Sequence, residues 1–226
     1  MKITYVEHAC FLIETKGIAI VVDPFFSDAH GAKKSAPRLF NPDRVLITHG
    51  HGDHLGGLYD IAGNKTTVFT IVELAGLLGK QGFKTIGMNV GGTVDLGGVT
   101  AAMVKAEHTS SFDYNGQSHY AGLACGFVVS DGDTTAYFAG DTDIFGDMAL
   151  ISKYYSPDIA VLPVGGHYTM DVKKAVFCCN ELLKTKYLIP MHYDTFPAIS
   201  ADLTPLKTQL ISTEPVILGK GESRIF

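Results

Sequence analysis

The stretch Thr48-His49-Gly50-His51-Gly52-Asp53-His54 places three imidazoles and one carboxylate within a few residues of one another. Both groups are good ligands for divalent first-row metals. In an extended segment the side chains at i and i+2 point the same way, so His49 and His51 can grip one ion. Asp53 and His54 lie further along and can reach a second ion beside it. Gly50 and Gly52 let the backbone turn tightly and keep the pocket open. The chemistry such a group supports is activation of a water molecule near neutral pH. The stretch follows Arg44-Val45-Leu46-Ile47, an apolar run that reads as a strand and delivers it.

This His-x-His-x-Asp-His pattern resembles the signature of the metallo-β-lactamase superfamily. The resemblance implies an α/β (α+β) chain folded as a four-layer αββα sandwich, with metal at one edge. It also implies three more ligands, each at a strand end: a histidine, a metal-bridging aspartate and a final histidine. Residues 99–106 read as a strand and run into Glu107-His108. Residues 134–139 read as a strand and run into Gly140-Asp141, with Asp143 set aside by the alternation and the preceding glycine. Residues 187–191 end at His192, and Met191-His192-Tyr193 resembles the family's last motif. The implied assignment gives His49, His51 and His108 to metal one and Asp53, His54 and His192 to metal two, with Asp141 between them. Two divalent ions are expected, zinc first and manganese second. Relatives that reduce oxygen on di-iron carry Glu where His51 stands, and zinc β-lactamases commonly carry Cys where Asp141 stands. Redox chemistry and antibiotic hydrolysis are therefore not expected.

Around this set, Asp53 is placed to orient the nucleophile and pass a proton to the leaving group. The phrase His8-Ala9-Cys10-Phe11-Leu12-Ile13 resembles the opening of the lactonase-like branch, whose equivalent histidine lies near the metals. That makes His8 a candidate at the substrate side. Val164-Gly165-Gly166-His167 follows an apolar strand and suggests a pocket wall, with His167 as a substrate-binding or proton-transfer residue. Residues 27–42 read as a loop whose Lys33, Lys34 and Arg38 would meet an anionic group. The expected activity is metal-dependent hydrolysis of a small ester or lactone, anionic if the basic loop takes part. A phosphodiesterase or nuclease on the same core is the first alternative. A non-catalytic metal-binding protein is the second, though a structural site needs only four ligands and leaves no open position.

The rest of the chain must position these residues. Its 226 residues, 46% apolar, fit one domain over 1–226 with a substantial core. A net charge of −5 argues against broad nucleic-acid binding, so a small-molecule substrate is expected. No run of about 18 apolar residues suggests a membrane span. Met1-Lys2-Ile3-Thr4-Tyr5 leads into alternating sequence without a signal-peptide pattern. Cys10, Cys125, Cys178 and Cys179 have no disulfide spacing, and a reduced, cytoplasmic protein is expected, with a homo-oligomer possible. Residues 2–7, 10–14 and 18–23 read as strands, and 109–119 as a polar loop. Residues 73–80, 144–153 and 171–184 read as helices. Strands that cluster early and then alternate with helices, twice over, suit two sheets face to face with helices outside.

Overall fold

The computed structural model describes residues 1–226. The chain opens as a meander of β1 (Lys2–Glu7), β2 (Cys10–Thr15) and β3 (Ile18–Val22). Lys16 and Gly17, both at positive φ (45° and 81°), form the two-residue turn between β2 and β3. Such a turn matches the twist of the flanking strands. Then β4 (Arg44–Leu46), β5 (Thr67–Ile71) and β6 (Thr85–Met88) add in parallel.

The second half supplies β7 (Thr93–Asp95), β8 (Thr100–Lys105), the separate hairpin β9 (Ser111–Tyr114) and β10 (Gln117–Tyr120), and β11 (Cys125–Ser130). It continues with β12 (Thr135–Phe138), β13 (Ile159–Pro163), β14 (Tyr187–Met191) and β15 (Glu214–Pro215). Last, β16 (Ser223–Ile225) returns to pair with β1. The two seven-stranded sheets run β16-β1-β2-β3-β4-β5-β6 and β15-β14-β13-β12-β11-β8-β7.

Strand alternation sorts side chains into two cores. Ala101, Met103, Phe127, Phe138, Ile159 and Val161 face the first sheet and meet Phe11, Ile13, Ile20 and Val45 there. The intervening Ala102, Val104, Tyr137, Ala160 and Leu162 face outward into a second core. The helices that follow are α1 (Ala29–Ser35), α2 (Gly52–Leu55), α3 (Leu58–Ile61), α4 (Val72–Gly79), α5 (Met148–Tyr155), α6 (Val172–Phe177) and α7 (Thr204–Thr208). Met148 and Ile151 of α5 and Val172 and Val176 of α6 close the second core. Leu74 and Leu78 of α4 are buried on the first sheet's side. The result is a four-layer αββα sandwich.

Three segments differ from the sequence reading. Residues 27–42 are not an open loop: Asp28 caps α1 by accepting from the His30 amide, and Ala32, Ala36 and Leu39 are buried in the core. Residues 109–119 fold as the β9–β10 hairpin, turning at Asn115 and Gly116 with φ of 52° and 74°. The helix expected over 171–184 is α only as far as Phe177 and continues as a π-helical segment, Cys178–Leu183.

Candidate metal centre

Strand direction gathers the site. β12, β13 and β14 run parallel, and β8 runs the same way because β11 is antiparallel to both β8 and β12. The residues just past the C-terminal ends of β8, β12 and β14 are His108, Asp141 and His192. In the other sheet the run past β4 delivers His49 and His51, and α2 then presents Asp53 and His54 in its single turn. The backbones approach closely here. A Cβ on Gly140 (φ +63°) would fall 2.8 Å from both the Cys125 oxygen and the Thr48 Cβ, so only glycine lets Asp141 reach this depth.

The seven side chains converge. Ligand atoms of His49, His51 and His108 lie within 4.8 Å of one another, as do those of His49, His54 and Asp141, and those of His8, Asp53, His54 and His192. Asp141 stands in the middle. Its Oδ1 is 3.2 Å from His54 Nε2, and its Oδ2 is 3.1 Å from His192 Nε2, 3.6 Å from His108 Nε2 and 4.0 Å from His49 Nε2. Asp53 Oδ2 is 3.7 Å from His192 Nε2. Yet His54 Nε2, Asp141 Oδ1 and both ring nitrogens of His192 are buried without a properly aligned hydrogen bond. Buried polar groups are normally satisfied. Orphaned imidazole and carboxylate atoms gathered around Asp141 fit a divalent metal.

Electrostatics divide the histidines. Burial presses His54 down, but Asp141 and Asp23 override it and hold His54 well above the usual imidazole range. Burial also opposes charge on His192, and Asp141 and Asp53 reverse it, raising His192 to about 9. For Asp141, burial favours the acid, yet His54 and His192 hold the carboxyl well below its usual range. Asp53 is lowered in the same way, burial being outweighed by His192 and His8. His49 is pushed well below its usual range by burial and then by His54, and burial also lowers His51 and His108. Without metal, protons on His54 and His192 balance the carboxylates.

Sequence reasoning missed Asp23. It directly follows β3, whose Val22 pairs with Leu46, so the register sets it beside Thr48. The fully buried Asp23 accepts from the Thr48 amide at 2.8 Å, the Thr48 hydroxyl at 2.8 Å and His54 Nδ1 at 2.9 Å. The Thr48 hydroxyl spends its proton on Asp23, so it accepts from His49 Nδ1 at 3.0 Å. One carboxylate thereby turns Nε2 of both His49 and His54 toward the cluster, where His49 Nε2 meets His51 Nδ1 at 3.0 Å. The available signal was an aspartate at an apolar strand end, the pattern the ligands themselves share.

The substrate-side expectations fare unevenly. His8 is fully buried against Asp53. His167 is exposed in a left-handed conformation, its ring 4.3 Å from Tyr168 and outside the ligand groups. Its loop abuts the site, since the Met170 amide donates to the Thr142 carbonyl. Asp143 turns outward to Lys174 at 2.6 Å. Arg38 is a correction: it donates to the Gly17 carbonyl at 3.0 Å and pairs with Glu14 and Asp43 at 3.5 and 3.7 Å. Gly17 sits in the β2–β3 turn, at the other end of β2 from His8, so α1 and its following turn carry Arg38 away from the metals. Lys33 lies over the Phe40 ring at 5.6 Å, and Lys34 is exposed in the last turn of α1.

Residues 2–192 match the model of the β-lactamase superfamily domain. The chain is 44% identical to a UPF0173 metal-dependent hydrolase of Carboxydothermus hydrogenoformans, over 98% of each chain. The chain belongs to the metal-dependent hydrolases of the β-lactamase superfamily. A Methanosarcina mazei member is 39% identical over 99% of this chain and 97% of its own. Among solved structures, Igni18, a metallo hydrolase from Ignicoccus hospitalis, superposes with a TM-score of 0.85 at 33% identity, covering 100% of this chain and 98% of its own. For this superfamily member, no helix is long and apolar enough to cross a membrane.

Proposed function

We propose that this hydrolase holds two divalent ions, zinc by preference, and opens small esters or lactones with activated water. The observation that carries the reading is Asp141. One buried carboxylate faces histidines of both ligand groups, and its two oxygens let it serve two cations while damping their repulsion. Metal bound there would supply hydroxide near neutral pH and positive charge for a developing oxyanion.

The chain's own residues supply the rest. Asp53 is 31% exposed, the most open carboxylate of the set, so it can orient the attacking water at the mouth of the site. His51 and His108 are partly exposed on the same mouth. His167, on the loop beside Thr142, is the residue we assign to substrate contact. Within 4.0 Å, Asp53 and Asp141 have no charged partners except histidines. With Arg38 bound elsewhere, little at the site favours a polyanion. Cytoplasmic location and a small-molecule partner remain part of this reading.

The test is hydrolysis of sugar-type and alkyl lactones beside phosphodiesters, by zinc-loaded and chelator-stripped protein. Zinc-dependent lactone opening is expected. Phosphodiester cleavage without lactone opening would replace the ester reading with the phosphodiesterase one.

A further inference from the structure

One imidazole in the cluster has no place in the seven-ligand set. His8 occupies the β1–β2 turn with φ of 59°, a region that side chains other than glycine enter at a cost. Its ring is fully buried, with Phe25 and Phe196 edge-on at 5.4 and 5.5 Å and His192 at 4.1 Å. Its Nε2 is 3.2 Å from Asp53 Oδ2, its Nδ1 is 2.9 Å from the Thr195 hydroxyl, and its carbonyl accepts from the His192 amide at 2.9 Å. Strained backbone that the surroundings over-determine clusters at functional sites.

We infer that His8 is a positioning residue for the Asp53–His192 end of the metal centre, its side chain fixing Asp53 and its carbonyl fixing His192. The inference rests on the proposed two-ion reading in taking Asp53 and His192 as ligands of one ion. The hydrogen-bond logic does not depend on the charge of the ring. An ionised carboxylate only accepts, so the nitrogen facing Asp53 carries hydrogen in either case. If the ring is neutral, Nδ1 accepts from Thr195; if it is charged, Nδ1 donates to the same oxygen. Asp53 Oδ2 is thereby tied, and Oδ1 is left for metal. The left-handed turn aims the His8 carbonyl at the backbone of His192. Thr195 lies three residues past His192, so the loop that bears this ligand also grips the His8 ring. Two residues distant in sequence, one before β2 and one after β14, close around Asp53.

The experiment measures zinc affinity and stoichiometry by chelator competition in wild type, His8→Gly, His8→Gln and Thr195→Val. Glycine keeps the turn and removes the ring. Glutamine restores a donor near Nε2 but is a poor zinc ligand. We expect His8→Gly to weaken one ion by about 10- to 100-fold and leave the other unchanged. His8→Gln should recover most of that loss, and Thr195→Val should fall between. Zinc X-ray absorption should count the same number of imidazoles in wild type and His8→Gln. Unchanged affinity in His8→Gly overturns the inference. So does a His8→Gln loss as deep as that of His8→Gly with one fewer imidazole on zinc, which would make His8 a ligand. Should wild type take up a single ion, the two-ion reading fails on its own, and His8 is judged by that ion's affinity: a tenfold fall in His8→Gly supports its role and no change overturns it. If His8→Gly does not fold, as judged by the melting of chelated samples, Thr195→Val decides, because unchanged affinity there removes the support.

Discussion

Asp23 Oδ2 receives Nδ1–H of His54 at 2.9 Å, and the same oxygen receives the Thr48 hydroxyl that in turn accepts from His49. A single buried carboxylate thus sets the tautomer of one histidine in each ligand group. Asp23→Asn offers one acceptor where two are used, and its amide hydrogens face the Thr48 amide. The expected result is a fall of about 10- to 100-fold in zinc affinity at both sites, read by chelator competition. Thr48→Val breaks only the arm to His49 and should weaken one ion. Equal losses in the two variants would show that the arms are not separable.

Asp141 is 2% exposed and has histidines on every charged side. Asp141→Ala should lose metal and activity together, since no other carboxylate stands between the two groups. Unchanged metal content in that variant would remove the bridging role. In the chelated Asp141→Asn protein, the His192 pKa should fall from its raised position of about 9, because the carboxylate 3.1 Å from its Nε2 is gone. Histidine NMR resonances report this directly.

The pH dependence of the chelated protein follows from opposite shifts. His192 rises to about 9 from an unfolded value of about 6.5, so its stabilisation is complete below pH ~6.5 and is lost as pH climbs through 9. His54 is raised too and acts in the same sense. His49, His51 and His108 are lowered, so folding binds fewer protons there, and stability falls as pH drops below ~6.5. Melting temperature without metal should peak near pH 6.5 to 7 and decline on both sides. Zinc binding at pH 7 should also release protons, because His54 and His192 must surrender theirs. Calorimetry in buffers of different ionisation heat measures that release, and a buffer-independent heat would contradict the charge assignment.

Arg38 belongs to the distant end of the first sheet. Arg38→Ala should leave kcat/KM on any accepted substrate unchanged. Its exposed pairs with Glu14 and Asp43 are worth less than ~1 kcal/mol to folding. A tenfold loss of kcat/KM would return the arginine to the substrate side.

The clustering of His49, His51, Asp53, His54, His108, Asp141 and His192 was legible from the short motif after β4 and from the resemblance, which pointed to a histidine or aspartate past three later strands. The αββα arrangement was legible from the same strand and helix order. Asp23 has the same placement, but it was absorbed into the strand that ends at Val22. Its partner Thr48 becomes visible only once the β3–β4 register is known. The β9–β10 hairpin carried the Asn115-Gly116 turn signal, yet its strands expose most of their residues and show one buried apolar side chain, Phe112. Helix α1 holds only Ala32 as a buried residue, too little for an apolar stripe to reveal it. The placement of Arg38 depended on which end of the sheet α1 and its following turn reach, information that lies in tertiary packing rather than in the local sequence.

Tyr137 shows the cost side of the second core. Strand alternation on β12 turns it outward among Met148, Leu162 and Cys178, where it is fully buried. Its hydroxyl has no hydrogen-bond partner, and burial raises its pKa far above the usual phenol range. A buried hydroxyl without a partner costs more than the packing of one oxygen returns. Tyr137→Phe keeps the ring and removes the orphan, so it should stabilise the protein by ~1 kcal/mol in urea unfolding. Zinc content should stay the same, since the ring points away from the metal face of the sheet. Destabilisation by a comparable amount would mean that the hydroxyl holds an ordered water, and that this water is part of the core.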